Sequence, residues 1–212
     1  MPGVVRLGVT AAEPVARVSS GVAAIDAVLA GGLPRGRISE LVGGQSAGRT
    51  AVLLAVLAAA TRRGEVVACV DCADALHPES VLRAGADLRR VLWVRPVSVL
   101  DGFRCMELLL RTGGFAVVAL DLGGTLPRGV RGHSWPRLLR AAERAHTACV
   151  VCAPRRVAGS FAALGVGVER RALRWRRGAW PLFDGFETVL RVVRNKLGAP
   201  EGGCRVLGVG CR

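Results

Sequence analysis

Glu40-Leu41-Val42-Gly43-Gly44-Gln45-Ser46-Ala47-Gly48-Arg49-Thr50 is the stretch whose reading decides the fold. It reads as a short strand, a glycine turn and the start of a helix. Gly43, Gly48 and Thr50 stand where the phosphate-binding loop G-x-x-x-x-G-K-[ST] has its two glycines and its hydroxyl. Such a loop works because backbone N–H groups and a helix N-terminus converge on phosphate oxygens, and glycine lets the backbone come that close. The Thr50 hydroxyl would hold Mg²⁺. Arg49 departs from the motif. Lysine is a slim point charge that reaches the β- and γ-phosphates, whereas arginine is a wider planar fork. A plain glycine turn between strand and helix would also fit these residues. ATP with Mg²⁺ is therefore the one cofactor the loop admits, and Arg49 puts it in question.

Outward from the loop, strands and helices alternate. Upstream, Val22, Ile25 and Leu29 at helical spacing follow Ser19-Ser20-Gly21, which predicts a short Ser-capped helix ended by Gly31-Gly32. Downstream, a helix is expected over 50–63, a strand over 65–71 and a short helix over 79–86. Strands follow over 91–94, 115–120 and 148–153. Asp101 is expected to cap a helix through Arg111, and Ser134 one through His146. This alternation implies parallel βαβ units. After residue 165 the helices stop, and three apolar runs predict an antiparallel extension of the sheet. The expected fold class is α/β: one domain over 1–212, with 1–18 as a short arm and no separate C-terminal domain. In a parallel sheet the ligand sits at the carboxyl ends of the strands. Asp71 and Asp121 both fall there, and Asp121 is the candidate acid for positioning Mg²⁺.

The 212 residues suffice for one such core. The longest apolar run, 51–60, is too short to span a bilayer, and the N-terminus has no secretory pattern. A cytoplasmic location and no membrane partner follow as expectations. The net charge of +14 predicts a polyanionic partner such as nucleic acid. Of 30 basic residues only Lys196 is lysine, so a compositional bias toward arginine is also at work. Seven cysteines include two C-x-x-C pairs, Cys69/Cys72 and Cys149/Cys152. Both lie in apolar strand-like runs, where positions i and i+3 point to opposite faces. Buried thiols are expected there, and no metal site.

The order of these pieces resembles the core of the bacterial RecA recombinase family. The likeness lies in Ser20 to Asp26, Gly31 to Arg37, the phosphate loop, Val70-Asp71-Cys72-Ala73-Asp74-Ala75-Leu76-His77-Pro78, and Glu187-Thr188 through Arg194-Asn195-Lys196-Leu197-Gly198-Ala199-Pro200. It implies a RecA-like fold, mostly parallel with antiparallel C-terminal strands. It also implies that Arg194 and Lys196 reach the nucleotide of a neighbouring subunit. The family's water-activating carboxylate falls at Ala73, with Asp74 beside it as a substitute base. The family's γ-phosphate-sensing Gln falls at Ala153-Pro154. With Arg49, these departures imply an ATPase that is weak or dead. A degenerate core of this kind is similar to the ImuA-type accessory proteins of damage-induced mutagenesis.

That likeness implies a role in the SOS response and translesion synthesis. The implied partners are DNA, single-stranded above all, a Y-family polymerase relative (ImuB), an error-prone replicative-type polymerase, and RecA itself. In RecA-like folds the loops after the fourth and fifth strands face DNA. Arginines cluster there: Arg128, Arg131, Arg137, Arg140 and Arg144 after the fourth strand, then Arg155, Arg156, Arg170, Arg171, Arg174, Arg176 and Arg177 after the fifth, interleaved with Trp175 and Trp180. Arginine pairs with phosphate, and tryptophan offers a stacking platform. DNA contact is the first expectation for this surface, and a protein-docking role for residues 164–180 is the second. The competing function is a DNA-dependent ATPase, a minimal recombinase.

Overall fold

The computed structural model describes residues 15–127, 132–176, 180–198 and 203–209. Ten strands and five α-helices run in the order β1 (Arg17–Val18), α1 (Ala23–Val28), β2 (Leu33–Pro34), β3 (Ile38–Val42), α2 (Arg49–Arg62), β4 (Val66–Asp71), α3 (Pro78–Arg83), β5 (Val91–Val94), α4 (Val99–Thr112), β6 (Phe115–Asp121), α5 (Ser134–Ala145), β7 (Ala148–Ala153), β8 (Ala162–Arg176), β9 (Leu182–Asn195) and β10 (Gly203–Val209) among the described residues. Eight strands form one sheet in the order β10-β9-β8-β3-β7-β6-β4-β5, and β1 and β2 pair separately.

Strand β3 is central, buried on both faces, and enters the phosphate loop. It pairs in parallel with β7 on one side and β8 on the other. The sheet buries both faces, as a parallel sheet must. Leu41, Val67, Val117 and Val150 pack with α1 and α2, whereas Ile38, Val70, Val118 and Val151 pack with α4 and α5. The C-x-x-C pairs follow this alternation. Cys69 and Cys152 lie in the first layer, and Cys149 and Cys72 in the second, so neither pair converges.

The α/β class and the mostly parallel sheet are as the pattern predicts. The C-terminal region is corrected in one respect: β8 runs parallel to β3, and the antiparallel pairing begins only with β9 and continues to β10. Three helix caps are also corrected. In α1 the Asp26 carboxylate accepts from Ser19 Oγ at 2.6 Å and from Ser20 N–H at 2.7 Å, and Val22 takes the N-cap. In α4 the cap is Ser98, whose Oγ accepts from Asp101 N–H at 3.1 Å and donates to Asp101 Oδ2 at 2.6 Å, so Asp101 sits in the first turn and not at the cap. In α5 His133 occupies the N-cap, and Ser134 is already helical.

Candidate phosphate-loop site and its surroundings

The turn between β3 and α2 is held from below and from the side. Gly43 N–H donates to the Ala153 carbonyl at 3.2 Å, which ties the loop to the end of β7. A Cβ on Gly43 would lie 2.2 Å from the Val168 carbonyl oxygen, so only glycine fits against β8. Gly48 caps α2 with φ +105°, and a Cβ there would meet Thr188 Oγ1 at 2.5 Å. Thr188 Oγ1 also donates to the Ala47 carbonyl at 3.1 Å. Strand β9 thus props the loop through one buried threonine.

Arg49 is 8 % exposed. Its Nη2 donates to the Gly123 carbonyl at 2.8 Å, in the turn after β6. Its Nη1 is buried and has no acceptor among the described residues. Asp121 closes β6 directly opposite Asp71 on β4 and accepts from Gly123 N–H at 2.9 Å. Burial pushes the Asp121 carboxyl above its ordinary range; the Gly123 N–H and the Arg49 charge pull it back, and the neighbouring Asp71 adds to the rise. Thr50 is exposed in the first turn of α2. One strand edge therefore gathers a helix N-terminus, a buried guanidinium with an unused donor, a hydroxyl and a carboxylate. Those are the groups a phosphate and its cation require.

The turn after β4 is differently used. Asp71 is 2 % exposed, and its carboxylate accepts from Ala73, Ala75 and Leu76 N–H at 3.2, 3.2 and 2.8 Å. It staples its own turn. Ala73 sits against the turn after β6, where a Cβ on Gly123 would meet its Cβ at 2.5 Å. Asp74 has φ +48° and an exposed side chain, 3.5 Å from Arg95 Nη1.

The RecA N-terminal domain model matches residues 2–129. The chain belongs to the RecA N-terminal domain family. Relatives named Protein RecA include those of Clavibacter michiganensis, 36 % identical over 127 residues, and Streptomyces venezuelae, 34 % over 127 residues. That of Mycobacterium ulcerans is 35 % identical over the same length. Each match covers 59 % of this chain but only 34–37 % of the relative, so the matched stretch is about a third of the length of these RecA proteins. The family match over residues 2–129 takes in the phosphate loop, Asp71 and Asp121, and ends before α5.

The remaining candidate residues of this RecA-family chain are scattered. Arg128, Arg131 and Arg177 lie outside the described residues. Arg155 is exposed in the turn after β7. Arg156 is engaged there: its Nη2 donates to the Gly159 carbonyl at 3.0 Å, and its Nε lies 3.5 Å from Glu40 Oε2. Arg174 and Arg176 stand on the exposed end of the β8–β9 hairpin, with Arg176 3.2 Å from Asp184. Arg194 Nε donates to the Ala162 carbonyl at 3.0 Å, and Lys196 Nζ to that of Ser160. Both hold the β7–β8 connection of their own chain.

Sequence reading passed over Glu40. It is fully buried on β3 and accepts from Val157 and Ala158 N–H, each at 2.7 Å. A carboxylate inside a strand destined for a two-sided core was the available signal, since such a charge persists only when hydrogen-bonded. Glu40 fixes the turn after β7 to the strand that carries the phosphate loop. Among the described residues no helix is long and apolar enough to cross a membrane.

Proposed function

We propose that this RecA-family chain is a non-hydrolysing accessory protein of the ImuA type. It would bind DNA and mutagenic polymerase partners in support of error-prone translesion synthesis. The observation that carries this reading is the turn after β4. Asp71 is consumed by three backbone N–H groups, Ala73 brings no carboxylate, and Asp74 turns out toward Arg95. A general base must stand within hydrogen-bond reach of the proton it takes, and no carboxylate on this turn does so next to the loop. Loss of a general base costs on the order of 10²–10⁴ in rate.

Binding is a separate matter. The unused Arg49 Nη1, the Thr50 hydroxyl and the Asp121 carboxylate fit a nucleoside triphosphate and Mg²⁺. Bound Mg²⁺–ATP would supply a polarised γ-phosphate. The chain's own residues would then orient it: Arg49 by a charge-assisted hydrogen bond, Thr50 and Asp121 through the cation. This fit supports the second reading, a DNA-dependent ATPase in which Arg49 replaces lysine and Asp74 swings inward as base. Arg194 and Lys196, proposed to reach a neighbouring subunit's nucleotide, would first have to leave the Ala162 and Ser160 carbonyls.

The DNA surface is proposed at Arg155, Arg174 and Arg176, together with Arg177 next to Arg176 in sequence and with Arg128 and Arg131 in the sequence after β6. Trp175 stacks edge-on against Phe183 with ring centroids 5.7 Å apart, and Trp180 is 82 % exposed. Such exposed rings among guanidinium groups suit single-stranded bases.

The deciding experiment is ATP hydrolysis by the purified chain with and without single-stranded DNA, with Thr50→Ala as control. No turnover above that control is expected, while a fluorescent nucleotide still binds. DNA-stimulated turnover that Thr50→Ala abolishes would replace the accessory reading with the ATPase.

A further inference from the structure

A groove of about 580 Å³ runs between the C-terminal half of α4 and the outer side of α5. Arg111, Arg137, Arg140 and Arg144 line it, with Glu107 as the one acidic group. It is remote from the phosphate loop. Thr112 and Ala145 lead directly into β6 and β7, so the groove lies toward the amino-terminal edge of the sheet. The loop lies at the carboxyl edge, about 20 Å away over the seven residues of β6. The hairpin arginines are on other strands again.

The charges in this groove are unbalanced. Glu107 Oε1 is taken by Arg137, through Nη2 at 2.7 Å and Nε at 3.0 Å. Glu143, the one acid of α5, is paired with Arg37 at 2.6 Å. Arg111, Arg140 and Arg144 therefore have no carboxylate partner among the described residues. Arg140 and Arg144 are four residues apart on one helix, a like-charge arrangement that opposes helix formation. Basic residues in a last helical turn are favoured by the macrodipole, which accounts for Arg111 and Arg144 singly. It does not account for Arg140, nor for three free guanidinium groups facing one cleft.

We infer that the α4–α5 groove is a second nucleic-acid backbone site, in which Arg111, Arg140 and Arg144 take successive phosphates of one strand. The stripe from Arg137 to Arg144 spans about 10 Å of helix, which matches a run of phosphates and exceeds a single small anion. Among the described residues the groove is lined by no aromatic side chain on which a base would stack. It therefore holds the strand by charge alone and independently of sequence. Paired with the hairpin surface, it would let one chain grip nucleic acid at two separated places.

The test is the salt dependence of binding to a fluorescein-labelled 30-nucleotide oligo-dT. The full chain is compared with Arg140→Gln/Arg144→Gln, with Arg140→Lys/Arg144→Lys, and with Arg174→Gln/Arg176→Gln. Two lost phosphate contacts should make the log–log slope shallower by about 1.4 in the α5 glutamine variant, with the lysine variant keeping the native slope. The loss should persist when the hairpin variant is combined with it. An unchanged slope in the glutamine variant overturns the proposal. So does an absence of DNA binding by the native chain. Competition in which sodium tripolyphosphate or a polyglutamate peptide occupies the groove while oligo-dT binding is undisturbed also overturns it, by assigning the site to a small anion or an acidic partner. A hairpin-only effect would leave the DNA reading of the hairpin standing and remove the groove, so the two are separable.

Discussion

The phosphate loop and the β8–β9 hairpin handle charge in opposite ways. In and around the loop, charged groups are buried and used internally: Arg49 by the Gly123 carbonyl, Asp71 by its own turn, Glu40 by the turn after β7. In the hairpin the burial pattern of β8 changes partway along. Residues 162–168 are inside the core, and from Glu169 onward the strand is exposed, with Leu173, Trp175 and Phe183 about half out in solvent. The loop is a piece of folding machinery that retains the groups of a ligand site. The far end of the hairpin contributes little to the core and leaves its aromatic and basic side chains in solvent. Substitutions should therefore register as stability in the first region and as binding in the second.

The largest effect is expected from Glu40→Ala. It orphans two buried N–H groups and releases Arg156, and should cost about 3 kcal/mol in urea unfolding. An effect below about 1 kcal/mol would mean that the turn after β7 is not anchored by this carboxylate. Gly48→Ala comes next, at about 1–3 kcal/mol, because the new methyl group collides with Thr188 in a left-handed position. In a Thr188→Ala background the added cost of Gly48→Ala should fall, because the Oγ1 and Cγ2 that the new methyl group meets are gone. In the hairpin, Trp175→Ala is expected to weaken oligo-dT binding by about 1–3 kcal/mol while changing unfolding by less than that. A larger change in stability than in binding would erase the contrast between the two regions.

The smallest effect tests the loop by pH. Asp121 is held above its ordinary value of 3.8 by burial, so the folded state binds its proton more tightly than the unfolded state does. Stability should therefore be full below 3.8 with respect to this group and fall as pH rises toward the raised value. Asp121→Asn removes that loss. The variant should be more stable than the native chain at pH 7 and equal to it at pH 3, by thermal unfolding at each pH. A destabilised variant at pH 7 would mean that the carboxylate is held by more than the Gly123 N–H and the Arg49 charge.

The alternation of apolar runs and glycine turns carried the fold class, and the spacing of Gly43, Gly48 and Thr50 carried the loop. Both are local: strand and helix periods and turn chemistry are written in neighbouring residues. The opposed faces of the two cysteine pairs followed from the same period. What lay beyond the sequence were the contacts between distant segments. Nothing near Ser98 shows that it, and not Asp101, caps α4, because both are good capping residues and a one-turn shift depends on how the helix packs. Likewise, nothing in Arg49 shows that it reaches Gly123, or in Thr188 that it braces Ala47 across 141 residues. Nothing in Asp71 shows that three N–H groups use up its carboxylate. The parallel pairing of β8 with β3 was hidden for the same reason, since an apolar strand does not declare its neighbour's direction. Local chemistry determined which elements form and where a phosphate-binding turn stands. Tertiary packing decided which of its polar groups are consumed by the fold and which stay free for a ligand, because buried donors and acceptors must be satisfied by whatever the fold brings to them.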